Sequence, residues 1–480
     1  PVVPFIKVTQ DRVVLEIQRG CIRGCRFCQA GQLYRPVRER SIDYLKEYAV
    51  DMIDNTGHEE ISLSSLSSSD YSKLPEFMDF LIEECKDRHV NISLPSLRID
   101  AFSLDVMSKV QDVKKSSLTF APEAGTQRMR NVINKGLTEE VILNGSRLAF
   151  EGGWNKVKLY FMLGLPTETL QDVRGIAELA NEVARVYYET VPKEKRNGRV
   201  QITISTSFFI PKPFTPFQWA SMGTEEEFLD KAHTVKEAVV SQLNQKSIRY
   251  IYHEADVSVL EGVFARGDRK ICDVIYKAYQ KGCIFDAWNE YFKKELWLEA
   301  FEECGVPIDF YTTREREDDE IFPWDFISCG VNREFLLREW HNAKKESVTP
   351  NCKMQCQGCG AGKIVAAVTN TLYLRNSTQH RTDGTVDGIG EINFAIASAE
   401  NEAGVPINFI GAETNDLLIL VFFQKGIEHF IKHRNDTDAS LRFGGVHMVR
   451  ASAIFLHTIN KIMVNADRSI LEINILPPQT

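Results

Sequence analysis

The amino-acid sequence predicts an α/β protein: a partial (βα)6 TIM-like barrel with a helical extension and a small α+β C-terminal domain. Over residues 1–222, short apolar runs rich in β-branched and aromatic residues alternate with stretches whose apolar residues recur at helical spacing. Strands separated by helices favour right-handed βαβ crossovers, which build a parallel sheet. In such a barrel, functional residues are expected on the loops that follow the strands.

The predicted barrel is built from alternating strands and helices. The strands are VVLEI (13–17), ISLSSL (61–66), VNISLPSL (90–97), SSLTFAPE (116–123), KVKLYFMLGLP (156–166) and VQITISTSFFIP (200–211). The helix candidates lie at 41–55, 72–88, 126–150 and 169–192. Each strand followed by a helix is one βα unit, so the pattern predicts an open or closed sheet of parallel strands.

The chain changes character after the predicted barrel. Residues 223–349 are mostly helical in pattern, as in KICDVIYKAYQKG and EYFKKELWLEAFEECG, and are interpreted as a helical extension. Residues 350–362 form a cysteine-rich junction. Residues 363–480 mix strand-like LLILVFF and ILEINIL with helical EINFAIASAENEAG, which predicts the small α+β domain.

Composition and charge are those of an ordinary globular chain. Of 480 residues, 43% are hydrophobic and 26% are charged, and the formal net charge is -9. This charge argues weakly against an RNA-coating protein, although a local basic patch is compatible with it. The sequence shows no long apolar run of membrane-spanning length and no secretory signal at its start, so we expect a cytoplasmic protein without a membrane partner.

The cysteines fall into an unusual pattern. The spacing C-x3-C-x2-C occurs twice, at Cys21, Cys25 and Cys28 and again at Cys352, Cys356 and Cys359. In a reducing compartment such clusters indicate metal or iron–sulfur ligands rather than disulfides. A structural zinc site needs a fourth ligand, which neither run supplies locally. The remaining cysteines are scattered and are interpreted as small buried hydrophobic residues.

Three thiolates suit a [4Fe–4S] cubane that keeps one iron without a protein ligand. A small molecule with an amine and a carboxylate, such as the methionine end of S-adenosylmethionine, can chelate that iron. Electron transfer from the reduced cluster into the sulfonium would then cleave a C–S bond and release a 5′-deoxyadenosyl radical. The first triplet follows the first predicted strand, so it falls at the functional edge of the barrel.

The motifs of this chain resemble those of the radical S-adenosylmethionine (radical SAM) superfamily. RGCIRGCRFCQAGQLYRPVRERS is joined further along by SLSSLSSSDYS, TFAPEAGTQRMR, LYFMLGLPTET, SFFIPKPFTPFQW and FARGDRK. Within the superfamily they resemble large proteins with an Elongator- and methylthiotransferase-like core and a linked small C-terminal domain. The resemblance implies a radical SAM enzyme with a [4Fe–4S] cluster on the first triplet, a bound S-adenosylmethionine, and an electron donor such as flavodoxin or ferredoxin.

The resemblance also implies cofactor contacts near the first triplet. Phe27, within the cysteine turn, matches an aromatic residue that approaches the adenine, with simple loop packing as the alternative. Ser67 and Ser68, together with Ser69, follow the second strand where relatives carry a Gly-Gly-Glu stretch that receives the substrate amine. The serines depart from that pattern, and a solvated turn is the alternative.

Two charged contacts are implied deeper in the barrel mouth. Glu123, at the carboxyl end of the fourth strand, is expected to accept hydrogen bonds from the ribose hydroxyls. Its alternative role is to cap the helix that begins near Thr126. Arg98 and Arg128 could pair with the methionine carboxylate through a bidentate fork, although arginine is more often a surface residue.

The turn after the fifth strand matches the family's GxPxE pattern. Gly164 would let the backbone approach the adenine, Pro166 would fix the turn, and Glu168 completes the motif. The alternative is an ordinary strand-to-helix loop with Thr167 or Thr169 as the N-cap. The two interpretations are compatible, since such a loop can also contact the adenine.

The occupant of the second triplet stays open between an auxiliary iron–sulfur cluster and a zinc ion. Zinc would need a distant fourth ligand, for which Cys329 is the nearest cysteine upstream. The repeated spacing favours the cluster. The flanking PNC and GCGAGK resemble the cysteine-rich junction of the subfamily.

RNA-base modification is the expected reaction class. The stretch ASAENEAGVPINFI resembles a small domain associated with RNA processing, which makes RNA a candidate partner. One alternative is a zinc-containing binding or assembly protein that keeps the barrel as a scaffold. Another is a cobalamin-dependent radical methyltransferase whose upstream domain is missing, which a chain that begins without Met would allow.

Overall fold

The computed structural model describes residues 3–361 except 7, 10, 94–98, 100–117, 197 and 287, together with 441–443 and 446–448. The chain divides into two compact units, residues 1–366 and 367–480. For the expected α+β domain at 363–480, the description covers an antiparallel hairpin of Leu441–Phe443 and Val446–Met448. The rest of that domain lies outside the described residues.

The strands of the first unit follow the predicted order. They are β1 (Val13–Glu16), β2 (Gln18–Arg19), β3 (Arg38–Glu39), β4 (Glu60–Ser64), β5 (Asn91–Ser93), β6 (Leu118–Glu123), β7 (Lys156–Leu163), β8 (Gln201–Phe208) and β9 (Ile248–Tyr252).

Helices alternate with these strands and then continue alone. They are α1 (Ala30–Leu33), α2 (Ile42–Thr56), α3 (Leu74–Lys86), α4 (Gln127–Val132), α5 (Glu139–Glu151), α6 (Leu170–Thr190), α7 (Glu225–Ser241), α8 (Ala255–Arg266), α9 (Ile271–Gln280), α10 (Lys294–Glu303), α11 (Ile308–Tyr311) and α12 (Arg333–Lys344). Among the helices described, none has the length and apolar character to cross a bilayer.

The longer strands form two parallel sheets. One has the order β1–β4–β5, with Val13 opposite Ile61. The other has the order β6–β7–β8–β9, with Leu159 opposite Ile204. Parallel strands joined by helices confirm the predicted α/β class. The short antiparallel pair of β2 and β3 lies beside the first cysteine loop.

Two elements differ from the sequence prediction. Strand β9 lies within the stretch predicted to be helical and pairs with β8, because IRYIY presents β-branched and aromatic residues to the sheet edge. The prediction of a single helix at 126–150 is wrong, because the structure has two helices there, α4 and α5. Between α4 and α5, Asn134 and Gly136 adopt positive φ angles of 50° and 66°, which end the first helix. The Thr138 side chain then caps the second helix.

The core lies between the second sheet and its covering helices. Along β7 the residues Val157, Leu159, Phe161 and Leu163 are buried in alternation, and they share one apolar cluster with Ile176 and its neighbours on α6. Burying a side chain of this size contributes about 1.5–3 kcal/mol. The sheet therefore fixes where each strand ends and where the following loop begins.

The loop after β6 packs directly on α6. A Cβ on Gly125 would lie 2.2 Å from the backbone nitrogen of Ile176 and 2.4 Å from the carbonyl carbon of Gly175. Backbone atoms inside a helix cannot rotate away as a flexible side chain can. The absence of a side chain at Gly125 therefore allows the carboxyl end of β6 to approach the helix closely.

Substituting Gly125→Ala should lower the free energy of unfolding by about 3 kcal/mol, because the added methyl group overlaps helix backbone. Urea denaturation measures the change. Gly57→Ala is the matched control, because Gly57 has a φ of 66° and no atom lies within 4 Å of the added Cβ. The free energy of unfolding should therefore fall only by the cost of a left-handed alanine, about 1 kcal/mol. Equal losses in the two variants would contradict the close packing.

Candidate functional site

The first cysteine triplet lies on the loop between β2 and α1. The loop turns tightly, since the Cys28 N–H donates to the Cys25 carbonyl at 3.2 Å and the Cys28 sulfur accepts from the Gly31 N–H at 3.4 Å. Its first residue is Gly20 at φ 81°, where a Cβ would lie 2.4 Å from the carbonyl oxygen of Tyr34. All three thiols are partly exposed. They therefore form one accessible group on one loop.

Two thiols of this loop, those of Cys21 and Cys28, hold their protons more tightly than free cysteine. Burial, with Cys25 and Cys28 adding to it, raises the pKa of Cys21 to about 11. Burial and Cys25 also raise the pKa of Cys28, against the Gly31 N–H and the charge of Lys135. A metal that binds here must displace these protons, as thiolate ligands require.

A lysine that sequence analysis missed joins two of the predicted contacts. Lys135 Nζ lies 3.1 Å from Glu123 Oε1 and 5.9 Å from the centre of the Phe27 ring. The charges of Lys135 and Glu123 both act on the Cys28 thiol. Phe27, Glu123 and Cys28 are thus brought together around one ammonium group. The only signal in the sequence was a lysine in the Asn-Lys-Gly turn shortly after TFAPEAGTQRMR.

Glu123 is held in an uncommon backbone conformation. Its φ is 68°, and the β6–β7 register shifts between Phe120 and Glu123. A non-glycine residue in this region costs of order 1 kcal/mol and is found where the surroundings impose it, often at functional sites. The alternative role of Glu123 as a helix cap is wrong, because the Thr126 hydroxyl caps α4 by accepting from the Met129 N–H.

The serine-rich loop after β4 packs beside the cysteine loop. The Ser67 hydroxyl donates to Asp70 at 2.7 Å, and Asp70 accepts from Arg23 Nε at 2.9 Å. Arg23 belongs to the cysteine loop, so this ion pair joins the two loops. Ser67 and Ser68 are buried, and the Ser68 hydroxyl bonds within its own loop. The alternative of a solvated turn is therefore wrong for these two residues.

Three buried polar atoms on these loops have no hydrogen-bond partner among the described residues. They are Gln18 Oε1, Gln32 Oε1 and Ser69 Oγ. Gln18 precedes the cysteine loop and Gln32 follows it, and both side chains are almost fully buried. Unpaired buried polar atoms are costly and call for a partner. The surroundings of the cysteine loop thus fit a small polar molecule that supplies hydrogen-bond donors.

The turn after β7 is closed by a hydrogen bond between the first and last residues of its motif. Gly164 has φ 84°, and its N–H donates to Glu168 Oε2 at 2.8 Å across Pro166. Lys231 Nζ also lies 2.8 Å from the same oxygen. Burial raises the pKa of Glu168, while Lys231 and the Gly164 N–H oppose that shift. Glu168 therefore closes the turn internally.

The remaining contacts of this turn are structural. Thr169 caps α6 in a capping box with Asp172, as the alternative for this loop proposed. Arg128 donates to Asp172 and to Glu346, so its guanidinium is engaged by carboxylates of the chain. Arg98 lies outside the described residues.

The family model that describes the radical SAM superfamily matches residues 15–180. The chain contains a radical SAM domain. The matched span includes the end of β1, the first cysteine triplet and the strands β2 to β7, so the resemblance drawn from the sequence motifs is confirmed.

Curated relatives extend the similarity beyond this domain. The chain is 33% identical over 293 residues to an uncharacterized protein of Methanocaldococcus jannaschii, which covers 61% of this chain and 60% of that protein. It is 26% identical over 168 residues to a protein of the same organism provisionally named a methylthiotransferase, covering 33% of this chain and 37% of the relative. The alignments thus span less than two thirds of these relatives.

The chain is also similar to solved structures. One of them is a radical SAM methyltransferase, TsrM, from Kitasatospora setae, described with cobalamin and a [4Fe–4S] cluster bound. The TM-score is 0.37 at 10% identity, and the match covers 61% of each chain. A score this low carries no argument about the present chain.

Arg26 anchors the cysteine loop of the radical SAM domain in the protein interior. Its guanidinium is fully buried, and Nη2 lies 3.1 Å from Glu339 Oε2 on α12. The same group donates to the carbonyls of Val132 at 2.9 Å and Ser347 at 2.7 Å. Burial lowers the pKa of Arg26, and Glu339 opposes that shift. One side chain therefore joins the cysteine loop, the end of α4 and the segment after α12.

The second cysteine triplet docks on this same loop of the radical SAM domain. The Cys352 N–H donates to the carbonyl of Ile22, the residue after the first cysteine, at 3.1 Å. Lys353 Nζ donates to the carbonyl of Asp70 at 2.7 Å. Nothing in the sequence indicated that the two triplets meet, because only the folded chain brings residues so distant in sequence together.

The rest of the second triplet lies on a more exposed loop. The Asn332 N–H donates to the Cys359 carbonyl at 2.8 Å, which fixes the loop to the start of α12. Burial raises the pKa of Cys352, and Cys359 and Cys356 add to that shift. Across the residues described, no group of three or more His, Cys, Asp or Glu side chains is arranged to hold a single metal ion.

Removing the charge of Glu339 tests the anchor. Glu339→Gln should lower the free energy of unfolding by about 3 kcal/mol, because it leaves the buried Arg26 guanidinium without a counter-charge. Arg185→Gln, which breaks an exposed pair with Glu189, should change it by less than about 0.5 kcal/mol. Chemical denaturation of both variants makes the comparison, and similar small losses would show that the buried pair is not needed.

Proposed function

We propose that this chain is an enzyme that binds a [4Fe–4S] cluster through Cys21, Cys25 and Cys28, binds S-adenosylmethionine beside it, and cleaves that cofactor reductively. The observation that supports this most is the grouping of Phe27 and Glu123 around one lysine next to Cys28. When bound, the reduced cluster supplies the electron that breaks a C–S bond of S-adenosylmethionine and yields a 5′-deoxyadenosyl radical.

The donor set of the loop suits a cubane cluster. Each of three thiolates binds a different iron, and the fourth iron stays open to a small ligand. The sulfurs therefore need to surround a cube rather than converge on one point. The tight turn from Cys25 to Cys28 keeps two of them on one short stretch of loop.

Chain residues around the cluster would orient the nucleoside. In this proposal Glu123 accepts hydrogen bonds from the ribose hydroxyls, and Lys135 fixes one of its carboxylate oxygens. The Phe27 ring packs against the adenine, and the backbone of Gly164 and Pro166 borders the base. A Cβ on Gly164 would lie 2.6 Å from the Phe228 ring, so glycine at this position lets the turn pack against α7.

The methionine end would meet polar atoms that have no partner among the described residues. The oxygens Gln18 Oε1 and Gln32 Oε1 are acceptors, which suits the ammonium group of S-adenosylmethionine. The hydroxyls of Ser67 and Ser68 already bond within the loop. Their part in this proposal is to hold the loop, while Ser69 Oγ offers the free hydroxyl.

The external partners belong to the same proposal. A cluster of this kind needs a reductant, for which we propose flavodoxin or ferredoxin. We propose an RNA base as the final substrate, supported by the sequence of the C-terminal region, and comparison of RNA modification profiles with and without the gene tests it. Cobalamin-dependent methyl transfer is the alternative, which the full-length gene distinguishes by an upstream cobalamin domain.

Each cysteine of the first triplet should be indispensable. Replacing Cys21, Cys25 or Cys28 by Ala should remove about four irons per chain after anaerobic reconstitution and lower the absorbance at roughly 400 nm by the share of the first cluster, because a cubane with two protein ligands is not held. Release of 5′-deoxyadenosine should fall to background. Cys272→Ala, an exposed cysteine on α9, should retain both properties. A triplet variant with the iron content and the nucleoside release of the wild type would end the proposal.

We further propose that the second triplet carries an auxiliary iron–sulfur cluster. It repeats the spacing of the first triplet and is hydrogen-bonded to the first loop through Cys352 and Ile22. A cluster here would lie beside the first one, where it could ligate a substrate or exchange electrons. Zinc is the competing occupant.

Metal content separates these two occupants. Cys356→Ala should reduce iron from about eight to about four per chain in reconstituted protein and leave the first cluster in place. Cys304→Ala, outside both triplets, is the control and should keep the full iron content. Loss of one zinc with iron unchanged in Cys356→Ala would assign zinc instead and overturn the second cluster.

A further inference from the structure

Three arginines meet in the interior outside the site described above. Arg266 ends α8 within the FARGDRK motif, and Arg314 and Arg316 follow α11. Arg266 and Arg316 are 1% and 4% exposed. The proposed reaction uses none of these residues, so their burial needs another explanation.

Arg266 is buried with most of its donors unused. Its Nη1 donates to the Thr312 carbonyl at 2.9 Å, whereas Nε and Nη2 have no partner in the described part of the chain. Arg316 donates through Nη2 to the Arg266 carbonyl at 3.4 Å, and its own Nε is also unpaired. A buried guanidinium without partners is among the most costly groups in a folded protein.

The charges around this group do not cancel. Glu320 accepts two hydrogen bonds from Arg314, at 2.6 and 2.8 Å, and lies 3.8 Å from Arg316. Glu317 adds a second negative charge near Arg314, so two carboxylates face three guanidinium groups within the described residues. Burial and the nearby charges of Arg316 and Arg314 lower the pKa of Arg266 to about 9, which reports the same excess of positive charge.

Two other buried arginines of this chain form hydrogen bonds through each of their guanidinium nitrogens. Arg26 and Arg130 are both 0% exposed. Arg26 uses Nε, Nη1 and Nη2 in hydrogen bonds. Arg130 likewise donates through Nε to Leu137 and through Nη1 to Ala124. Arg266 differs from these two arginines, because its Nε and Nη2 are unpaired among the described residues.

We propose that Arg266 and Arg316, with Arg314 at the exposed side, bind the phosphate group of a small molecule or a free phosphate ion. The planar fork of a guanidinium matches the spacing of phosphate oxygens, and a doubly charged anion would balance the excess positive charge. The Arg314 side chain is 35% exposed, which gives the site an approach from solvent. The aromatic rings of Phe322 and Trp324 cover Arg316 on the other side.

The position of this group relates it to the barrel mouth. The Arg316 N–H donates to the Trp219 carbonyl at 2.9 Å, and Trp219 lies in the segment that follows β8. Trp219 shares its apolar cluster with Phe27 of the cysteine loop. A bound phosphate would therefore stabilise the same core on which the cysteine loop packs.

Phosphate-specific stabilisation of the full chain tests the site. In sodium phosphate, compared with sodium chloride of equal ionic strength, the melting temperature of the wild type should rise by about 3 °C at saturation. Equilibrium dialysis with labelled phosphate should find about one bound ion per chain. Arg266→Met should abolish both effects, whereas Arg185→Gln, an exposed arginine on α6, should retain them. Glycerol phosphate distinguishes the two ligands. If it raises the melting temperature as much as inorganic phosphate does, the site takes the phosphate group of a small molecule. If it does not raise the melting temperature, the site takes the free ion.

A second variant covers the case in which Arg266→Met does not fold. Arg314→Gln changes a partly exposed residue and should weaken phosphate binding about tenfold. The site is refuted if the wild type gains nothing from phosphate over chloride and dialysis finds no bound ion. These measurements do not involve cleavage of S-adenosylmethionine, so their failure leaves the proposed reaction untouched.

Discussion

The ion pair between Arg26 and Glu339 is the interaction on which the site geometry depends. It joins residues 313 positions apart, inside the protein, where a charge persists only when it is paired and hydrogen-bonded. Arg26 lies between the second and third cysteines, so the path of the cysteine loop is set by a helix far along the chain. The guanidinium also donates to the carbonyl groups that end α4. The thiols are therefore positioned by long-range contacts and not by the loop alone.

This dependence makes the segment after α12 part of the site. Residues 332–359 lie outside the span that matches the radical SAM model, yet Thr349 donates to Asn134, and Asn134 donates to the carbonyl of Gly24 in the cysteine loop. Cys352 adds a further bond to the same loop. The helical extension and the barrel core are thus one structural unit around the cysteines, and the segment that carries Cys352 packs on the first cysteine loop.

Local patterns were predictable from sequence, and tertiary pairings were not. The cysteine spacing, the alternation of strands and helices, and the cap at Thr169 depend on neighbouring residues, so short windows of sequence carry them. Strand β9 was missed because five residues show the same apolar pattern in a strand as in a helix, and its pairing with β8 decides the conformation. Lys135 and the docking of Cys352 depend on contacts between distant segments, which a single sequence does not contain.

One turn links the two cysteine triplets to the carboxylate of the proposed nucleoside site. Asn134 has φ 50° and bonds both to the cysteine loop and to Thr349, and the next residue, Lys135, pairs with Glu123. Glu123 itself has a positive φ, so its side chain is directed by backbone that the fold imposes. The bonds to Thr349 and to Glu123 thus run through consecutive residues of one turn. The segment that carries the second triplet and the carboxylate of Glu123 therefore share Asn134 and Lys135 as a common support.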